Sequence, residues 1–382
     1  YLDSANSSQK PKVVIDRISN FYETEFSNVG RSVHTLAVKA TNRFEATRDK
    51  VQKYLNAKNR EEIIFTKGAT EAINLVASSY GKKYINKGDE ILITELEHHS
   101  NYVPWNFLRT EKGAVIKFAQ VNESGDVELD EIKKLITNKT KIIAITHISN
   151  VTGAVLPITK IVDLAKEKKI PVLIDGTQGA PHSEIDMQKI GCDFYAISCH
   201  KMYGPNGLGL LYMKKKWVDD LPPYQGGGGM INEVKKDEIS FADAHTKFEA
   251  GTMQTAEVVA FAESLNFIDK LGIKNIASHE NEILQYGLEI LKKNNSINII
   301  GDPKERGSVL CFTLKDIHPH DIATILDDDG VAIRAGHHCC QILHDKLGIP
   351  ATARASIGVY NDKEDIDKLS DAIKNCQKVF QN

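Results

Sequence analysis

Residues 141–178 read KIIAITHISNVTGAVLPITKIVDLAKEKKIPVLIDGTQ. Lys141 to Thr146 is a β-branched apolar run, Ile158 to Lys168 carries apolar residues at helical spacing, and Pro171 to Ile174 is a second apolar run. Strand, helix and strand in that order predict parallel pairing. Outward from this unit, Ile63 to Thr66, Glu90 to Thr94, Ala114 to Ala119, Phe194 to Ser198 and Leu208 to Met213 complete seven candidate strands. Amphipathic segments at Ala69 to Tyr80 and Asp130 to Ile136 continue the alternation. The expected class is α/β, with a mostly parallel seven-stranded sheet covered on both faces.

After the cluster Gly226 to Gly229 the rhythm changes to long charged helices, Ala256 to Leu271 and Asn281 to Lys293, then to a smaller mixture of strands and helices. The expectation is a large domain over 1–260 and a small C-terminal α+β domain over 261–382. The glycine cluster reads as a mobile surface loop, because no helix start follows it.

Composition narrows the function. The 382 residues hold 48 Lys plus Arg against 51 Asp plus Glu, a formal charge of −3, with no basic run of the kind that binds nucleic acid. Hydrophobic residues are 41% and charged residues 26%, as in a globular core-forming chain. No apolar stretch approaches the roughly 20 residues that span a bilayer. The six cysteines show no CxxC pair, which favours a reducing, cytoplasmic compartment. A segment ahead of Tyr1, a targeting peptide included, is left open.

In an open α/β sheet, ligands sit beyond the carboxyl ends of the strands. Three ends stand out: Asp175-Gly176-Thr177-Gln178, Ser198-Cys199-His200-Lys201, and Thr66-Lys67-Gly68-Ala69-Thr70-Glu71 at a helix start. Singly, Asp175 reads as a turn residue, Lys201 as a solvated loop lysine and Thr70 as a first-turn residue. Together they are what pyridoxal phosphate (PLP) requires: an amine for the Schiff base, a carboxylate for the pyridine nitrogen and helix N–H groups for the phosphate. A zinc site from His337, His338, Cys339 and Cys340 is disfavoured, since four consecutive residues diverge and lack two separated pairs.

Seven ordered motifs carry a resemblance over nearly the whole length. They are Tyr1-Leu2-Asp3-Ser4-Ala5, Glu97-His98-His99-Ser100-Asn101, Asp175-Gly176-Thr177-Gln178, Ser198-Cys199-His200-Lys201-Met202-Tyr203-Gly204-Pro205, Phe248-Glu249-Ala250-Gly251-Thr252, Arg334-Ala335-Gly336-His337-His338-Cys339 and Arg354-Ala355-Ser356. In these the chain resembles the group II cysteine desulfurases and selenocysteine lyases, in the class V branch of fold-type I PLP enzymes. The resemblance implies Lys201 as the Schiff-base lysine, Asp175 on the pyridine nitrogen, Gln178 and Asn150 near the ring 3-oxygen, and His98 stacked on the ring as a proton carrier. It implies a phosphate held by Thr70, Ser198 and His200, with Thr252 reaching it from the neighbouring subunit of a homodimer.

By the same resemblance Cys339, in the small domain, is the nucleophile that takes sulfur from L-cysteine as a persulfide, leaving L-alanine. A cationic or helix-N-terminal setting for this thiol is expected from the segment after His338. Arg354 is the implied clamp for the substrate carboxylate, a task suited to a planar guanidinium, with Arg334 and Arg31 as supports. Cys340 is expected to point elsewhere, and Cys192, Cys199, Cys311 and Cys376 read as small buried hydrophobes. The resemblance implies a sulfur-acceptor protein of iron–sulfur assembly as partner, and the absence of a long insertion around Cys339 fits group II and dependence on that acceptor for full turnover. Selenocysteine lyase as the main activity, a PLP lyase or transaminase with an incidental Cys339, and a scaffold that binds PLP only for folding are the alternatives. The chain departs from the family's usual pattern at Gly30 and Ser32 beside Arg31, at Asn6, where a second alanine is usual, and at Ala69, where a hydroxyl residue is common.

Overall fold

The computed structural model describes residues 1–30 and 32–380. Its large sheet contains β1 (Ile63–Thr66), β2 (Glu90–Thr94), β3 (Val115–Ala119), β4 (Thr140–Thr146), β5 (Val172–Asp175), β6 (Phe194–Ser198) and β7 (Gly209–Met213), in the order β1-β7-β6-β5-β4-β2-β3. β7 is antiparallel to β1 and β6, and the remaining pairs are parallel, so the other six strands end at one edge. All seven apolar runs of the sequence are therefore strands of one mostly parallel sheet.

Helices α1 (Lys12–Thr24) and α2 (Thr35–Tyr54) precede the sheet, and α3 (Ala69–Tyr84), α4 (Val103–Lys112), α5 (Leu129–Leu135), α6 (Ile158–Glu167), α7 (Met187–Ile190) and α8 (Lys215–Asp220) follow individual strands. Side-chain alternation divides each strand between two cores. Ile63 and Phe65 join the core of Ile161 and Val162 on α6, whereas Ile64 joins that of Ile73 and Val76 on α3. Burial on both faces is what makes these strands near-continuous apolar runs.

The glycine cluster leads into a hairpin of β8 (Ile231–Val234) and β9 (Ile239–Phe241), most of which is exposed. Then come α9 (Thr255–Leu271) and α10 (Ile273–Leu291). The start of α10 at Ile273 lies ahead of the sequence expectation at Asn281, because its first turns bury only Ile276 and Glu280 and show little apolar period. α9 packs on α1 and α2 through Ala256, Val259, Phe21 and Ala40, so a division at 260/261 falls inside this helix.

The second sheet is antiparallel in the order β10-β11-β13-β12, from β10 (Ile297–Ile299), β11 (Val309–Leu314), β12 (Arg334–Gly336) and β13 (Thr352–Ser356). It is flanked by α11 (Pro319–Asp328), α12 (Gln341–Leu347) and α13 (Lys363–Phe380). Residues 1–10 form a strap between the two sheets. Leu2 is buried in the small-sheet core and accepts from the Ser356 N–H at 2.7 Å, while Ser8 N–H and Lys10 Nζ donate to the His200 carbonyl at 3.1 and 2.7 Å.

Two tight contacts position the strand ends. A Cβ on Gly209 would stand 2.4 Å from Gly68 Cα, so only glycine lets the start of α3 press onto β7. Arg48 on α2 is fully buried and donates to both oxygens of Glu249 at 2.8 and 2.9 Å and to the Ile63 carbonyl, while Glu249 also accepts from Phe65 N–H. This pair fixes the segment Phe248 to Thr252 against β1. Truncating one member of a buried pair strands the other's charge, at about 3–5 kcal/mol. Arg48→Met is expected to lower the unfolding free energy measured by urea titration by that order, and adding Glu249→Gln to recover most of the loss.

Candidate active site

Strand ends deliver the chemistry to one cavity of about 280 Å³. From β5 come Asp175, Thr177 and Gln178, from β6 Ser198, His200 and Lys201, and from the start of α3 Ala69 and Thr70. The turn after β2 supplies His98 and Ser100, the loop after β4 supplies Asn150, the strap supplies Asn6, and β12 with the turn after it supplies Arg334 and Cys339. The parallel sheet thus gathers residues distant in sequence at its carboxyl edge.

Electrostatics separate the titrating groups. Burial lowers the Lys201 amine to about 8, helped by the nearby Arg354 cation, while Asp175 opposes the shift. Burial raises the Asp175 carboxyl, against hydrogen bonds from Thr177, whose N–H donates at 3.0 Å, and the Lys201 charge. Burial and then Lys201 push His98 down to about 3, so its ring is neutral near pH 7. Ser100 N–H donates to His98 Nδ1 at 3.1 Å, which leaves the ring proton on Nε2. Burial raises the carboxyl of the preceding Glu97 to about 8. That carboxyl still accepts from Thr94 Oγ1, Asn101 Nδ2 and Thr146 N–H, and so anchors the His98 turn to β4.

At the other end of the cavity, Ala69 N–H donates to Ser198 Oγ at 2.9 Å. His200 Nδ1 lies 3.2 Å from Ser7 Oγ, and burial, then Lys201, lowers this imidazole to about 4. Thr70, Ser198 and His200 also line an adjoining groove with Lys67, Asn206 and Tyr224. The first N–H groups of a helix have no partner within it, so the start of α3 is suited to an anion.

Cys339 is half-buried, whereas the other five cysteines are buried. It precedes α12 rather than standing in its first turn, because Cys340 is the N-cap and the helix starts at Gln341. His338 and Cys339 both take left-handed backbone, φ 51° and 57°, a strained choice for residues with a Cβ. Contacts on both sides hold this turn. Asn150 Nδ2 donates to the His338 carbonyl at 2.7 Å, and His99 N–H donates to the Cys339 carbonyl at 2.7 Å. His338 Nε2 and His344 Nε2 both meet Thr352 Oγ1, at 2.9 and 3.0 Å. Cys340 points away from the cavity, its Sγ donating to Asn150 Oδ1 at 3.0 Å.

Of the residues singled out from sequence, Lys201, Asp175, Gln178, His98, Thr70, Asn150, Ser198, His200, Arg334 and Cys339 line this cavity. Arg354 is buried behind its wall, donating to the Asn150 carbonyl at 3.1 Å and pairing with Asp3 Oδ1 at 3.4 Å. Gln178 donates to the Ala5 carbonyl at 2.8 Å, and both ends of the Asn150 amide are taken by the turn of Cys339. Thr252 lies outside, in a neighbouring groove with Phe65, Lys67 and Glu71. Arg31 is outside the described residues. Sequence reasoning gave no role to Ser100, Glu97 or Lys10; the first two lay inside a quoted motif, and Lys10 carried no signal.

An amine, a carboxylate, an imidazole and a helix N-terminus around one cavity form a donor set that fits PLP. The chain matches the Aminotransferase class-V family over residues 1–369. A "Probable cysteine desulfurase" of Staphylococcus epidermidis is 46% identical over 381 residues, 100% of this chain and 92% of that protein. One of the same name from Halalkalibacterium halodurans is 43% identical over 380 residues, 100% of this chain and 93% of the relative. Among solved structures, a cysteine desulfurase of Escherichia coli superposes with TM-score 0.93 at 35% identity, covering 99% of this chain and 94% of that one. A cysteine desulfurase of Thermococcus onnurineus gives 0.95 at 33%, with the same coverage. The chain belongs to the class-V aminotransferase family of PLP-dependent, fold-type I proteins, alongside relatives named cysteine desulfurases.

Proposed function

We propose that this protein is a cysteine desulfurase, a sulfurtransferase that moves the sulfur of L-cysteine onto Cys339 and releases L-alanine. The observation that carries the reading is the meeting of Cys339, the one half-buried cysteine of the six, with Lys201, Asp175 and His98 in a single cavity. A lyase or transaminase has no use for a thiol held there. PLP, when bound, supplies the electron sink that lets bonds at the amino acid's α- and β-carbons break.

In this reading Lys201 would hold the cofactor's aldehyde, Asp175 its pyridine nitrogen and Gln178 the side of its 3-oxygen, while Asn150, whose amide is engaged by the turn of Cys339, would border that side through the turn it holds. Thr70, Ser198 and His200 face the phosphate. Arg354, with Arg334, orients the substrate carboxylate, as a planar guanidinium does best. The Lys201 amine, neutral in a large fraction near pH 8, takes the proton from the substrate α-carbon. His98, neutral and carrying its proton on Nε2, would be the group that moves protons beside the substrate. Cys339 Sγ attacks the substrate sulfur: the S–S bond forms, the Cβ–S bond breaks, and its electron pair takes up a proton to become the methyl group of alanine. L-Cysteine and a thiol thereby become alanine and a persulfide, with atoms and electrons balanced.

The persulfide passes to a sulfur-acceptor protein that feeds iron–sulfur cluster assembly. A homodimer is supported by the exposed hairpin, with Ile231, Val234, Ile239 and Phe241 open to solvent, and by the position of Thr252 outside the cavity of its own chain. The unpaired cysteines support a reducing, cytoplasmic setting.

With L-cysteine and a thiol reductant, the parent is expected to release alanine and sulfide in equal amounts. Cys339→Ala is expected to keep the yellow PLP absorbance and lose turnover; a variant as active as the parent means a general PLP lyase instead. The lowered Lys201 value gives a second test, since only the neutral amine condenses with an aldehyde. PLP uptake by cofactor-free protein, followed by absorbance, is expected to speed up with rising pH and reach half its maximal rate near pH 8. A midpoint close to the ordinary lysine value of about 10.4 rules out the buried, cation-flanked amine.

A further inference from the structure

Arg334 on β12 and Arg354 on β13 stand directly opposite each other. Like charges in that relation repel, so both guanidinium groups need restraint to stay beside the cavity. The strap provides it. Asp3 Oδ1 pairs with Arg354 at 3.4 Å, Asp3 Oδ2 accepts from Asn6 Nδ2 at 3.0 Å, and Asn6 Oδ1 accepts from Arg334 Nη1 at 2.8 Å. The other Arg334 nitrogen then lies 3.8 Å from Cys339 Sγ. The partners fix the amide's orientation: a guanidinium only donates and a carboxylate only accepts, so oxygen faces Arg334 and nitrogen faces Asp3.

We propose that Asn6 is a positioning residue, whose amide holds the Arg334 guanidinium beside the Cys339 sulfur so that the carboxylate of a substrate approaching that sulfur meets an ordered cation. Asn6, Arg334 and Cys339 line the same cavity, and the chain of contacts from Arg354 through Asp3 to Arg334 runs through the Asn6 amide. Alanine at position 6 leaves Arg334 free to swing away from Arg354 into solvent. The inference rests on reading Cys339 as the group that meets substrate, but its test does not depend on desulfuration.

The holoprotein is alkylated at one pH with iodoacetate or with iodoacetamide, reagents of similar size of which only the first is an anion. Among the cysteines only Cys339 is not buried, so the reaction reads that residue, with peptide mass as the check. The ratio of the two rates cancels the thiol's own reactivity and reports the cation beside it. Asn6→Ala is expected to lower the iodoacetate-to-iodoacetamide ratio about tenfold, the order of one charge-assisted hydrogen bond. Asn6→Asp, whose carboxylate neutralises Arg334, is expected to lower it further, and Asn6→Gln to recover part. In turnover, KM for L-cysteine is expected to rise in Asn6→Ala with kcat little changed. An unchanged ratio in Asn6→Ala, even with reduced stability, overturns the proposal and leaves Asn6 a turn residue. A ratio that falls in protein making no sulfide from cysteine upholds Asn6 and overturns the desulfurase reading.

Discussion

Apart from the edge strand β3, both faces of the large sheet are buried, so strands such as Ile63–Thr66 and Phe194–Ser198 have little room for a polar side chain except at their ends. That constraint governs the rest of the molecule. Six strands end at one edge, and there an amine, a carboxylate, hydroxyls and the start of α3 converge without having to be near one another in sequence. The close approach of Gly68 and Gly209 belongs to the same arrangement, because it seats α3 low enough for Ala69 N–H to reach Ser198 Oγ.

Between β12 and α12 the second sheet answers with a turn under strain. His338 and Cys339 adopt a backbone that neither favours, and they stay there because Asn150 and His99 hold their carbonyls while Thr352 receives two imidazoles underneath. The thiol is therefore aimed from the edge of the large sheet as much as from β13 beneath it. Cys340 shows the contrast: one residue on, the side chain is turned into the core and its sulfur is occupied by Asn150.

The sequence was most legible where burial imposes a repeating pattern. Each of the seven apolar runs is a strand, and the polar residues ending β5 and β6 are those of the cavity, because period and strand end are local properties. What stayed hidden is non-local or lacks a period. The hairpin at Ile231 to Phe241 is mostly exposed on both strands and shows no alternation to read. The first turns of α10 bury too little to announce a helix. Asn150 was associated with the cofactor by resemblance, yet its amide is taken by residues 188 and 190 positions away. Asn6 was visible as a departure from pattern, but its partner Arg334 is 328 residues distant, and no spacing rule reaches that far.

The strap has a consequence for how the molecule is made. Leu2 completes its pairing with Ser356 across 354 residues, and Asp3 finds Arg354 across 351. During synthesis these early residues emerge long before the strand they dock on, and contacts of such separation form slowly because the loop they close must first be ordered. The two arginines therefore have no partners on the strap until β12 and β13 have been made and have docked on it.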